Sequence, residues 1–154
     1  MEQQDGPVLR RARRDDVAAI AALINQDAIS VARNGPPPSL EEYEGWFDLI
    51  DACPANELLV LELAGRVAGT AQLTFIPGLG RRTRLRCLVE AVRVDEALRG
   101  RGRGSWMMRE ILERARARGC TLVQLTTDKR RTDAHRFYQR LGFAATHEGM
   151  KLYL

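Results

Sequence analysis

Val92-Arg93-Val94-Asp95-Glu96-Ala97-Leu98-Arg99-Gly100-Arg101-Gly102-Arg103-Gly104-Ser105 passes from a β-rich run through a short turn into alternating arginine and glycine. Directly after it, Trp106, Met107, Ile111, Leu112 and Ala115 recur at helical spacing. The reading is strand, glycine loop, helix. Glycines let successive N–H groups turn toward one centre, the helix start adds the positive end of its dipole, and the arginines add charge-assisted bonds. Such a loop suits a pair of phosphates. It is not a Walker A loop, since no Gly-Lys-Ser/Thr follows, and its glycines lack the GxGxxG spacing of dinucleotide-binding folds. An exposed basic turn, or an RGG-like patch for nucleic acid, explains the same letters.

Upstream, Pro7 to Arg13 reads as a strand. Asp15 and Asp16 can cap a helix through Val17, Ile20, Ala21, Leu23 and Ile24. After Asn34-Gly35-Pro36-Pro37-Pro38, Ser39 and Glu42 form a capping box for a helix with an aromatic face of Tyr43, Trp46 and Phe47. Glu57 to Leu63 and Val67 to Ile76 read as a hairpin joined at Ala64-Gly65-Arg66, and Arg84 to Val94 as a third long strand. Downstream, Ser105 to Arg118 is helical, Thr121 to Thr127 a strand, Asp133 to Leu141 a helix stopped by Gly142, and Lys151 to Leu154 a last strand. The order predicts a mixed α/β domain with hairpins early and a crossover late, spanning 1–154 as one domain.

Two motifs carry a resemblance. Arg99-x-x-Gly102-x-Gly104 is similar to the Gln/Arg-x-x-Gly-x-Gly/Ala motif of the GNAT superfamily of N-acetyltransferases. Ala134-His135-Arg136-Phe137-Tyr138-Gln139-Arg140-Leu141-Gly142-Phe143 resembles the family's later Ala-x-x-Phe-Tyr-x-x-x-Gly-Phe signature. The likeness runs from about Leu58 to the C-terminus, and Leu125 to Tyr138 also resembles the aminoalkylphosphonate N-acetyltransferases. It implies an α/β (α+β) fold with a mostly antiparallel sheet of roughly six to seven strands flanked by about four helices. It implies acetyl-coenzyme A as cosubstrate, with direct attack by a primary amine of a small molecule in a ternary complex.

By the same resemblance, the backbone of Val92, Arg93 and Val94 pairs with the pantetheine arm and offers an N–H to the thioester carbonyl. Arg99, Gly100, Arg101, Gly102, Arg103, Gly104 and Ser105 hold the pyrophosphate. Arg131 stands where many members carry an asparagine on the cofactor arm. Tyr138 is the family's usual acid for the departing thiolate, against a core tyrosine beside Phe137 as the structural reading. Glu90, two residues before Val92, is the carboxylate that would deprotonate the amine, directly or through water. A surface glutamate paired with Arg86 or Arg93 fits equally. His135 and His147 are the other bases to weigh. In this superfamily the acceptor pocket would fall within 25–52 and 144–150, where Glu41, Glu42, Glu44, Asp48 and Asp51 offer negative charge.

Composition narrows the field. With 45% hydrophobic and 29% charged residues the chain should fold. The polar stretch Met1 to Gly6 has no apolar signal core, and no apolar run approaches the roughly 20 residues of a membrane span. The cytosol is the expected address. Cys53, Cys87 and Cys120 form no metal-ligand spacing and read as buried thiols, so no metal is expected. The net charge of +4, almost wholly from arginine, fits phosphate-bearing ligands or nucleic acid. Scarce aromatics beside Arg99 to Ser105 and beside Lys129-Arg130-Arg131 argue against a nucleic-acid-binding module, the rival class. A non-catalytic acetyl-coenzyme A sensor is the third reading. The resemblance also suggests a homodimer.

Overall fold

The computed structural model describes residues 6–154, and the opening stretch read above for a signal core lies, through Asp5, outside the described residues. The chain gathers into two compact units, one ending at Gln124 and the other Leu125–Leu154. In the first, β1 (Val8–Arg11), β2 (Asn56–Leu63), β3 (Arg66–Pro77), β4 (Leu85–Val94) and β5 (Leu122–Gln124) form one sheet in that order. Neighbours are antiparallel except β4 and β5, which are parallel. Helices α1 (Val17–Asn25), α2 (Ala28–Asn34) and α3 (Leu40–Asp51) link β1 to β2, and α4 (Arg103–Ala117) is the crossover that parallel neighbours require. The second unit holds α5 (Thr132–Arg140).

The mostly antiparallel α/β class is as the sequence implies, with five strands and five α-helices among the described residues in place of six to seven and four. The added helix is α2. Asp27 turns extended and its carboxylate accepts from the N–H of Ile29, which starts a new helix without any glycine or proline to announce it. Lys151 to Leu154 form no strand; they are exposed and have no ladder partner among the described residues. A strand is stable only where a neighbouring edge takes its backbone groups. For the same reason β5 is three residues long, since its pairing with β4 ends at Leu88.

Local signals behave as expected in the hairpin and in α3. Ala64 and Gly65 both take positive φ, 48° and 73°, the geometry that two-residue hairpin loops need. Ser39 Oγ accepts from the Glu42 N–H while Glu42 returns a bond to the Ser39 N–H, and these bonds hold the Glu42 carboxyl below its ordinary range. Asp16 departs from its expected capping role. Its carboxylate takes the Arg10 guanidinium at 2.8 and 3.0 Å and the Arg13 N–H at 2.7 Å, which fastens β1 to the turn before α1.

The sheet register sorts the side chains into two faces. Glu57, Leu73 and Val89 share one face, with Phe75 and Cys87. There α4 packs its buried Met107, Met108, Ile111 and Ala115, with Arg114 and Arg118 both bonded to the buried Glu57 and Arg118 stacked over Phe75. Each large apolar side chain so buried contributes about 1.5–3 kcal/mol. The other face carries Leu58, Gln72 and Glu90 in register, with Thr70. The cysteine expectation holds for Cys87, whose thiol burial pushes up to about 12, whereas Cys53 and Cys120 are only half-buried near surface turns.

Candidate active site

The centre of the first unit's site is an irregularity in β4. Thr70 pairs with Arg93 and Gln72 with Glu90, so two residues of β4, Ala91 and Val92, stand opposite one residue of β3. This is a β-bulge, and Ala91 occupies it at φ 51°, a left-handed conformation that non-glycine residues adopt at a cost of about 1–2 kcal/mol. Beyond Leu88, β5 no longer pairs with β4, so the backbone from Val89 to Val94 has no strand neighbour on that edge among the described residues. Val92, Arg93 and Val94 therefore make no ladder pairing on that edge among the described residues. The Arg93 side chain is engaged elsewhere, at 3.1 Å from the Asp27 carboxylate and 2.8 Å from the Val92 carbonyl.

From Val94 the chain makes a short 3-10 turn, Glu96–Leu98, in which the Asp95 side chain accepts from the Ala97 N–H. Gly100 and Gly102 follow at φ 74° and 72°. Those two left-handed turns bring the chain onto the start of α4, where Gly102 is the N-cap and its carbonyl accepts from Trp106. The N–H groups of Arg103, Gly104 and Ser105 thus have no acceptor inside the helix and lie at the positive end of its dipole. Arg99 and Arg101 are exposed, Arg99 only 3.7 Å from Glu96, while Arg103 is half-buried with its Nε buried and unpartnered. Strand, glycine loop and helix are as the sequence predicts. The loop offers backbone donors and three arginines to an anion.

Glu90 is exposed at the near side of the bulge and forms no ion pair among the described residues, with Arg86, Arg93 or otherwise. On the same sheet face lies a cavity of about 180 Å³ between α1, α3 and the sheet. Ile20 and Ile24 come from α1, Tyr43 and Trp46 from α3, Gln72 from β3, and Ala91 of the bulge completes the wall. The acidic residues of α3 are not part of the lining: Asp48 and Glu44 meet Arg14, and Glu42 caps the helix.

In the second unit, Arg131 is the N-cap residue of α5, and its carbonyl accepts from His135. His135 Nε2 lies 3.1 Å from the Asp128 carbonyl, a bond that ties the ring to the loop before the helix. Tyr138 is half-buried, with edge contacts to Phe137 at 5.1 Å and Phe143 at 5.7 Å. Phe137 and Tyr138 share the burial, neither lying wholly inside. His147 is exposed and bonded to Thr146.

Sequence reasoning missed Ala91, Asp27 and Gln72. An alanine in a left-handed bulge leaves no mark in sequence, where a glycine would have. Tyr43 and Trp46 were visible as an apolar face, within the 25–52 stretch where the resemblance put the acceptor pocket.

The site thus joins a strand that bulges and loses its neighbour to a glycine loop that opens a helix. Comparison with known proteins gives the family. The chain belongs to the acetyltransferase (GNAT) family, whose model matches residues 19–143, and is an N-acetyltransferase with acetyl-coenzyme A as cosubstrate. It is 36% identical over 121 residues to glucosamine 6-phosphate N-acetyltransferase 1 of Oryza sativa subsp. japonica, covering 77% of this chain and 72% of that one. Over 50 residues it is 42% identical to the aminoalkylphosphonate N-acetyltransferase of Salmonella typhimurium, 32% of each chain. Among solved structures, a transcriptional regulator from Bacillus halodurans aligns with a TM-score of 0.88 at 38% identity, over 97% of this chain and all of that one. A predicted acetyltransferase from Clostridium acetobutylicum, solved with acetyl-coenzyme A, shares the fold at a TM-score of 0.73 and 19% identity.

Proposed function

We propose that this enzyme transfers the acetyl group of acetyl-coenzyme A to the primary amine of a small molecule by direct attack in a ternary complex. The bulge at Ala91 carries the reading. It turns the β4 backbone where Val92 to Val94 lack a β5 partner, which leaves N–H groups for the pantetheine arm and one for the thioester oxygen, the electrostatic help acyl transfer needs most. The pyrophosphate sits on the loop Arg99 to Ser105. Arg131 takes the place of the family's asparagine on the cofactor arm.

Glu90, exposed beside the bulge and without an ion-pair partner among the described residues, removes the amine proton, directly or through one water. Tyr138 protonates the departing thiolate. Its place in the α5 signature and its incomplete burial support that role, since an acid must reach its partner while a neighbouring ring holds it. The bond from His135 to Asp128 favours Glu90 over that histidine as the base. Both units act as one domain, 1–154, working in the cytosol as a homodimer. The acceptors in the relatives' names, glucosamine 6-phosphate and aminoalkylphosphonates, set the first panel to assay.

The test is thiol release from acetyl-coenzyme A with an amine panel, for the enzyme and for Glu90→Gln and Tyr138→Phe. Each substitution should lower kcat by about 10²–10⁴-fold, with the Glu90→Gln loss greatest at low pH, where the amine is protonated. Full-rate variants would leave both residues structural.

A further inference from the structure

We infer that the acceptor carries an apolar group, an aryl ring or a short branched or linear alkyl chain, seated in the cavity between α1, α3 and the sheet. This rests on the acetyl-transfer reading above and names the substrate class for that site. Three observations carry it.

The cavity reaches the reaction centre, because Ala91, the bulge residue, forms part of its wall and Gln72, register partner of Glu90, another. An amine whose apolar end fills it can present nitrogen beside Glu90 and the bulged backbone. No charged side chain lines the cavity among the described residues. Ile20, Ile24, Tyr43, Trp46 and Leu58 supply hydrocarbon and ring surface, and Thr70 Oγ1 already donates to the Leu59 carbonyl at 2.9 Å. A phosphate or phosphonate there would have no cation to replace its water, which excludes the charged end of the relatives' acceptors from this cavity. The Tyr43 hydroxyl already donates to Asn25 Oδ1 at 3.3 Å, so Gln72 and the Trp46 indole N–H are left as the polar groups that fix orientation, the usual pattern of a small-molecule pocket.

The size agrees. An apolar cavity of about 150 Å³ is enough to take up benzene, and this one, at about 180 Å³, admits a ring with a short arm. Trp46, 46% exposed and packed edge-on against Tyr43 at 5.4 Å, stands at the rim where a ring would pass.

In the reaction the amine nitrogen bonds to the acetyl carbon and the carbon–sulfur bond breaks. One proton leaves nitrogen for the base, and the coenzyme A thiolate takes one up. Nothing beyond acetyl-coenzyme A is consumed.

The experiment measures kcat/KM by thiol release for ethylamine, butylamine, hexylamine and 2-phenylethylamine beside glucosamine 6-phosphate and 2-aminoethylphosphonate. Leu58→Phe, which fills the cavity, is run in parallel. In the wild type, kcat/KM should rise about fourfold per methylene until the cavity is full, and 2-phenylethylamine should exceed both phosphorus-bearing amines at least tenfold. Leu58→Phe should cut the ratio of 2-phenylethylamine to ethylamine at least tenfold. Calorimetric titration of 2-phenylethylamine into the coenzyme A-loaded enzyme should show binding that the variant loses. A flat response to chain length, a preference for the phosphorus-bearing amines, or absence of calorimetric binding overturns the inference while acetyl transfer stands. Failure of acetyl-coenzyme A to raise the melting temperature, with no thiol released from any amine, overturns the acetyl-transfer reading and this inference with it.

Discussion

Arg93, just past the bulge in β4, donates from its guanidinium to the carboxylate of Asp27, which is itself the N-cap of α2, at 3.1 Å and with Asp27 only 8% exposed. One side chain thus ties the irregular strand to the α1–α2 corner, and the corner to the wall of the cavity. Asp27→Asn keeps the N-cap acceptor and removes the charge. It should lower stability by about 1.5–3 kcal/mol, the usual cost of losing a charged hydrogen bond. Urea denaturation monitored by circular dichroism checks this, and Asp27→Ala should lose about 1 kcal/mol more through the cap.

Gly102 sits at φ 72° with open space around its missing side chain, so conformation alone demands glycine there. Gly102→Ala should carry about 1–2 kcal/mol of strain, or else bend the loop away from the α4 start. Where the free loop relaxes out of that conformation, binding must restore the strain, and acetyl-coenzyme A should bind roughly tenfold more weakly. Calorimetric titration reads the change, and an unaltered Kd in a variant whose stability is also unaltered, so that the strain has been relieved by a displaced loop, would remove the loop from the cofactor site.

The pH dependence of stability has two named sources. Arg10 above all, together with the Arg13 N–H, holds the Asp16 carboxyl below the usual aspartate range. A depressed carboxyl adds stability that is complete above its unfolded pKa of about 3.9 and is lost as pH falls through the folded value. The acid limb should therefore flatten in Asp16→Asn. On the alkaline side burial lifts the Cys87 thiol to about 12. The unfolded thiol loses its proton first, so stability falls as pH rises from about 8.5 toward that value. Cys87→Ala should shallow this limb, and urea midpoints from pH 2.5 to 11 separate the two effects.

The sequence by itself determined the strand–glycine loop–helix unit, the hairpin at Ala64-Gly65 and the capped start of α3. Each rests on residues a few positions apart, and the conformations they permit are local: left-handed glycines at 100 and 102, a serine and a glutamate three residues apart. The family motifs around Gly102 and Tyr138 were legible for the same reason. Tertiary structure alone decided where β5 stops, that Lys151 to Leu154 have no ladder partner among the described residues, and that Asp16 serves Arg10 instead of capping α1. It also decided the bulge at Ala91 and the cavity beside it. These depend on which distant strand or helix lies opposite: the register of β3 forces an alanine into a left-handed turn, and the spacing of α1 and α3 above Leu58 and Gln72 opens a space that no stretch of sequence contains.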